Sequence, residues 1–214
     1  MSEVKLQEKK KKRDYQNQYP SVSQILGVLR KPALENWFMK NTAEFCRLES
    51  AKGKLCGTQI HECIQQYIET QKASIDTEYE IEVTNALKSF ILFTKENPDI
   101  KLKRSEIGLT DEVYGFNGTV DATAEIGGKA ILLDWKSGKV GKEQQPPIFP
   151  EFLYQCSAYC YLMKLDEAII VAISKDAVSY SMRPMFKDEI NRCFSEVFIP
   201  CLKIFNYTHP KKES

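Results

Sequence analysis

The chain has 214 residues, of which 43% are hydrophobic and 28% charged, with a formal net charge of +1. That length suffices for one well-buried domain, and the composition is ordinary for a globular protein. No apolar run approaches the roughly 18 residues that span a bilayer, so no transmembrane helix and no membrane partner are expected.

The near-neutral total conceals an asymmetry. Residues 1–13 (MSEVKLQEKKKKR) carry six Lys/Arg against two Glu, which makes that stretch +4 and the remainder −3. A run such as KKKKR predicts a disordered basic tail over residues 1–18 that either stays solvated or touches phosphates. It lacks the apolar segment of a secretory signal and is short of Arg and Ser for a transit peptide. The seven cysteines include no C-x-x-C pair and sit mostly in apolar helical patterns. They read as reduced, buried thiols of a cytosolic protein.

From Tyr19 to Leu29 (YPSVSQILGVL), Ser21 or Ser23 can cap a helix whose Val22, Ile25, Leu26 and Leu29 recur at helical spacing. KPALENWFMKNTAEFCRLES continues helical, with Pro32 in its first turn and Trp37, Phe38 and Phe45 as core candidates. Gly53 and Gly57 predict a break. Beyond it, Thr58–Thr70 carries a stripe of Ile60, Cys63, Ile64, Tyr67 and Ile68. His61 lies one position off that stripe, where a lone histidine is more often structural than a ligand. Glu80–Glu96 is a further helix with Leu87, Phe90, Ile91 and Phe93 inward, stopped at Asn97-Pro98.

At Lys101 the period changes to two. Three strands follow as an antiparallel meander, the last two joined by a tight turn at Gly127-Gly128. Gln144 to Pro150 (QQPPIFP) is too proline-rich for either regular structure and predicts a mobile loop. Glu151–Lys164 reads as a helix, Ala168–Ser174 as a buried strand, and AVSYSMRP as an edge strand paired to it. A last helix runs from Lys187 to about Asn206 with Ile190, Phe194, Val197, Phe198 and Leu202 inward, kinked at Pro200. This order predicts an α/β layer fold around one mixed sheet. The domain spans 19–207: a helical part (19–97), a sheet core (100–185) and a C-terminal helix (187–207).

Within the meander, the stretch GTVDATAEIGGKAILLDWK (Gly118 to Lys136) places charge where a sheet usually places a hydrophobe. Asp121 and Asp134 at adjacent strand ends can share a divalent metal, and Lys136 projects to the same face as Asp134. Taken alone, Asp134 and Lys136 are equally a surface ion pair, and Asp121 a turn cap.

Four motifs stand in order around these acids. Gly57-Thr58-Gln59-Ile60-His61 precedes Gly118-Thr119-Val120-Asp121 and Asp134-Trp135-Lys136, and Gln155-Cys156-Ser157-Ala158-Tyr159 follows. The set resembles the PD-(D/E)XK nuclease superfamily and, within it, the G-x-x-x-H, G-x-x-D, D-x-K and Q-x-x-x-Y motifs of the RecB-like exonuclease branch. Over roughly residues 19–185 the pattern is most similar to the mitochondrial genome maintenance exonucleases and their bacterial and phage relatives.

That resemblance implies a restriction-endonuclease-like core, a central mixed β-sheet flanked by helices. It implies a metal-dependent DNA exonuclease of DNA repair, replication or recombination, acting on single-stranded DNA or free ends and leaving 5′-phosphates. One or two Mg²⁺ or Mn²⁺ ions would be held by Asp121, Asp134, His61 and the backbone carbonyl of Trp135, with Glu106 as an extra acid. Asp121, Asp134 and Lys136 form the implied catalytic set, Lys136 orienting the water or stabilising the charged phosphate. Gln155 and Tyr159, four apart on one helix face, would hold the DNA backbone or a catalytic residue. Bases could stack on Tyr19, Trp37 or Phe149, and the proline-rich loop could gate the strand.

Some members of that branch hold an iron–sulfur cluster through a late C-x-x-C. Cys46 or Cys56 could serve as its early ligand, but Cys193 and Cys201 are separated by seven residues, so no cluster is expected. The same residues also admit an endonuclease, a CRISPR-adaptation-type end-trimming nuclease, or a catalytically silent nucleic-acid-binding module. Without a transit peptide, a bacterial, archaeal or phage-encoded cytoplasmic protein is expected rather than a mitochondrial one.

Overall fold

A computed structural model of the protein describes residues 19–141 and 144–210, so the basic tail expected over 1–18 lies outside the described residues. Strands β1 (Lys101–Asp111), β2 (Phe116–Ile126) and β3 (Lys129–Gly138) form the expected antiparallel meander. The two-residue turn between β2 and β3 requires positive φ at both positions, which Gly127 (57°) and Gly128 (84°) supply. β4 (Glu167–Ser174) adds parallel to β3, and β5 (Tyr180–Phe186) adds antiparallel to β4. The result is one mixed sheet of order β1-β2-β3-β4-β5.

Strand alternation divides the core into two layers. On one face Phe116, Val120, Leu132 and Ile170 pack against α1 (Val22–Ile25), α5 (Pro150–Met163) and the C-terminal helices. On the other, Leu133, Trp135, Val171 and Ile173 pack against α3 (Ala43–Thr70) and α4 (Glu80–Glu96), which contribute Ile60, Ile64, Phe90 and Phe93. Ser21, not Ser23, caps α1: its hydroxyl accepts the Gln24 N–H, and the Gln24 side chain accepts the Ser21 N–H in return.

Three expectations are corrected. Gly53 and Gly57 do not break a helix; α3 runs unbroken for 28 residues. Each glycine costs a helix only about 1 kcal/mol, and the burial of Cys56, Ile60, Cys63 and Ile64 against the sheet outweighs that. Trp37, Phe38 and Phe45 do not enter the core. On α2 (Pro32–Lys40) and the first turn of α3 they pack on one another, with Phe38 46% and Phe45 47% exposed.

The last helix is not one kinked helix either. α6 (Lys187–Cys193) passes through a π turn (Phe194–Phe198) into α7 (Ile199–Thr208). Pro200 has no N–H to donate back along the helix, and a wider turn just upstream accommodates that. Among the described residues no helix is long and apolar enough to cross a membrane.

Candidate active site and metal centre

The site begins where two strands part. β2 and β3 stay paired only as far as Ala122 and Leu133, while β3 continues alongside β4 to Gly138. Beyond the fork the Trp135 N–H needs another acceptor. It donates to Asp121 Oδ2 at 2.9 Å. A carboxylate thus replaces a missing rung of the sheet, which fixes its orientation and leaves Oδ1 3.3 Å from His61 Nδ1.

The fork coincides with a reversal in β2. Phe116 and Val120 serve one core layer, whereas Ala122 and Ala124 serve the other, so the alternation switches across Asp121. In β1, Ser105 pairs with Ala122 and Ile107 with Val120, which sets Glu106 opposite Asp121. Glu106 has a φ of 51°, a left-handed conformation inside a strand of an L residue. Strain of this kind persists where surrounding structure enforces it. Its effect here is to bring His61, Glu106 and Asp121 together, each with a ligand atom within 4.8 Å of the others. With Thr58, Glu62 and Thr119 they line an open cleft of about 460 Å³.

Asp134 and Lys136 lie beside this trio. Asp134 is 1% exposed, and Lys136 Nζ stands 2.6 Å from its Oδ2. Apart from that ion pair, neither Asp134 oxygen accepts a hydrogen bond among the described residues. A buried carboxylate has about four lone-pair positions to satisfy, so this one is under-coordinated. Hard oxygens with one imidazole, and an enclosed carboxylate short of partners, form a donor set that fits Mg²⁺ or Mn²⁺.

The electrostatics agree. Burial pushes the Asp134 carboxyl up to about 6, although the Lys136 charge opposes it. Burial pulls the Lys136 amine down, but Asp134 and then Asp121 outweigh it, and its pKa ends above the ordinary lysine value. Burial likewise lowers the His61 imidazole, and the Asp121 hydrogen bond and charge more than reverse this. Glu106 reaches solvent, yet partial burial of its carboxyl and the Asp121 charge raise it. Carboxylates crowded together with raised pKa values mark a place built for a cation.

α5 supplies the other wall. Gln155 Nε2 donates to Tyr159 Oη at 2.7 Å. Tyr159 is 4% exposed and lies against β2 so tightly that a Cβ on Gly118 would stand 2.6 Å from its Cε1. This explains the glycine of the GTVD motif: any side chain there would displace the ring.

Sequence reading missed Phe152, whose ring centroid lies 5.7 Å from Lys136 Nζ. Its spacing of three from Gln155 and seven from Tyr159, on one helix face, was the available signal. Thr58, Glu62 and Gln65 were missed as well, although Thr58 and Gln65 stand three before and four after His61 and all three line its cleft. Of the proposed stacking residues, Trp37 and Phe149 line a separate groove, while the Tyr19 ring packs beside Gly115.

No protein-family model and no curated protein sequence matches the chain. Solved structures do. A protein named as an exonuclease from Eubacterium rectale aligns at TM-score 0.51 and 15% identity over 90% of this chain and 83% of its own. An alkaline exonuclease from Laribacter hongkongensis in complex with dAMP aligns at 0.44 and 14% identity, over 89% of this chain and 91% of that one. A phage-related exonuclease from Haemophilus somnus gives 0.40 and 11%, over 68% and 78%. The fold is therefore an α/β core with a five-stranded mixed sheet flanked by helices, shared in outline with the Eubacterium rectale protein.

Proposed function

We propose that the chain is a divalent-metal-dependent deoxyribonuclease, an exonuclease that hydrolyses phosphodiester bonds of single-stranded DNA or at free DNA ends and leaves 5′-phosphates. The observation that carries this reading is the convergence of His61, Glu106 and Asp121 on one open cleft beside the Asp134–Lys136 pair. The residues proposed to hold one or two Mg²⁺ or Mn²⁺ ions are Asp121, Asp134, His61 and the Trp135 carbonyl, with Glu106 closing the set. Bound there, the metal supplies charge to offset the phosphate and makes a water more acidic. The imidazole shifts preference somewhat toward Mn²⁺.

The chain's own residues do the positioning. Trp135 N–H locks the Asp121 carboxylate. Lys136, with its pKa raised by Asp134 and Asp121, keeps its proton at neutral pH. In that form it acts as a donor to the attacking water or to a phosphoryl oxygen. The Gln155–Tyr159 pair braces the wall behind it.

The test uses open and end-blocked single-stranded oligonucleotides and circular single-stranded DNA, each with Mg²⁺, Mn²⁺ or EDTA. Progressive shortening of open strands, an intact circle and no cleavage in EDTA are expected. A cut circle would make the enzyme an endonuclease. No cleavage of any DNA or RNA with either metal would leave a silent nucleic-acid-binding module.

A further inference from the structure

A second, apolar groove of about 720 Å³ lies between the Leu29–Trp37 segment and the start of α5. Leu29, Leu34, Trp37, Phe149, Phe152 and Tyr154 line it, with Arg30 and Lys31 at its rim. Phe149 is 42% exposed, and its ring meets that of Phe152 at 5.6 Å and 81°, forming an aromatic corner. Phe152 also belongs to the site, since its ring lies under Lys136 Nζ at 5.7 Å. One ring thus borders both the proposed catalytic lysine and the groove.

We infer that this groove is a nucleobase subsite, which stacks an unpaired base of single-stranded DNA adjoining the phosphate at Lys136. The inference rests on the nuclease reading of the catalytic cleft and adds what that reading leaves open, the form of the substrate. Flat aromatic walls offer every base a π face; Arg30 is held by Glu35 at 2.5 Å and Glu151 also lines the groove, so Lys31 is the cation that suits the backbone following the base. The volume is that of a small-molecule pocket, so it admits a base with its sugar and not a stacked duplex. Few polar groups face inward, so stacking there is tolerant of sequence.

Trp37 reports on the groove directly. The chain has two tryptophans, and the other, Trp135, is 1% exposed. The full chain in EDTA is titrated with an oligothymidylate and with a strand of equal length made of abasic units, following tryptophan quenching and fluorescence anisotropy. Quenching by the thymidylate alone, with about ten-fold tighter binding than the abasic strand, is expected from one base–aromatic stack. Phe149→Ala should lose about ten-fold on the thymidylate and nothing on the abasic strand, and Phe149→Tyr should restore it.

Equal binding of the two strands without quenching, or an unaltered Phe149→Ala variant, overturns the inference. So does a dimer in sedimentation that Phe149→Ala dissolves, since the occupant is then a second copy. The two readings fail separately. A protein that stacks thymidylate but cuts no nucleic acid with metal loses its activity assignment and keeps the groove. One that cuts DNA without distinguishing the strands loses the groove alone.

Discussion

Adding one methyl group at Gly118 probes the contact that joins the sheet to the wall of the site. The new Cβ would lie 2.6 Å from Tyr159 Cε1 and 3.2 Å from both Tyr159 Cδ1 and Val22 Cγ2. Ordinary carbon contacts fall at about 3.5–4.0 Å, so the ring must retreat by about 1 Å. It has little room, because it is 4% exposed and its hydroxyl is held by Gln155. Overpacking of this kind costs about 1–3 kcal/mol. At roughly 2–4 °C per kcal/mol for a chain of this size, the melting temperature should fall by roughly 2–12 °C.

Calorimetry of Gly118→Ala in EDTA measures this, with a cleavage assay alongside to read the shift of Tyr159 beside Lys136. Gly53→Ala is the opposite-sign control. Nothing lies within 4 Å of its Cβ in mid-helix, so it should gain about 0.5–1 kcal/mol. In a Tyr159→Ala background most of the Gly118→Ala penalty should vanish, because the ring is gone. A Gly118→Ala variant as stable as wild type, or an undiminished penalty without the ring, would refute the reasoning.

Lys136→Ala removes the cation 2.6 Å from Asp134 and leaves an enclosed carboxylate. Breaking a buried pair from one side costs about 3–5 kcal/mol, and kcat should fall about 10²–10³-fold with the lost donor. Urea titrations should show a smaller stability loss at pH 5 than at pH 8, because Asp134 then protonates; a pH-independent loss would contradict this. Metal and pH should also be linked. Asp134 is raised from 3.8 to about 6, and Glu106 and His61 are raised from 4.5 and 6.5. Each raised group contributes stability that is complete below its unfolded pKa and lost as pH climbs through its folded one. In EDTA the melting temperature should therefore fall from about pH 4 to pH 8, and Asp134→Asn should flatten that slope. Ligands must be deprotonated to bind, so the stabilisation by Mn²⁺ should grow over the same range. Equal Mn²⁺ shifts at pH 5 and pH 8 would argue against these groups as ligands.

The pieces of the site were legible because each is a local matter. Two glycines with positive φ make a hairpin, a capping serine starts a helix, and period-two alternation makes the strands, although Asp121 and Asp134 lie inside β2 and β3 and not at the strand ends expected, because pairing with neighbouring strands carries both past the acids. Helix α4 begins and ends where its apolar spacing and Asn97-Pro98 say it should. Their encounter was implied by the family resemblance alone, and local pattern does not show how it comes about. His61, Glu106 and Asp121 meet because β1 turns left-handed at one residue and β2 leaves β3 at the fork, and neither event has a composition of its own. The continuity of α3 past two glycines was likewise settled by burial against the sheet, and the exposure of Phe38 and Phe45 by their packing on Trp37 outside the two core layers among the described residues.

By itself, then, the sequence determined the elements, the turn at Gly127-Gly128 and which acids and lysine would be scarce in their surroundings. Only the tertiary structure decided that Gly118 must lack a side chain, that Tyr159 is enclosed against β2 with its hydroxyl held by Gln155, and that Phe152 stands between the lysine and a groove. The reason is physical. Propensity and capping act over a few residues, whereas strand divergence and close packing depend on contacts between residues far apart in the chain.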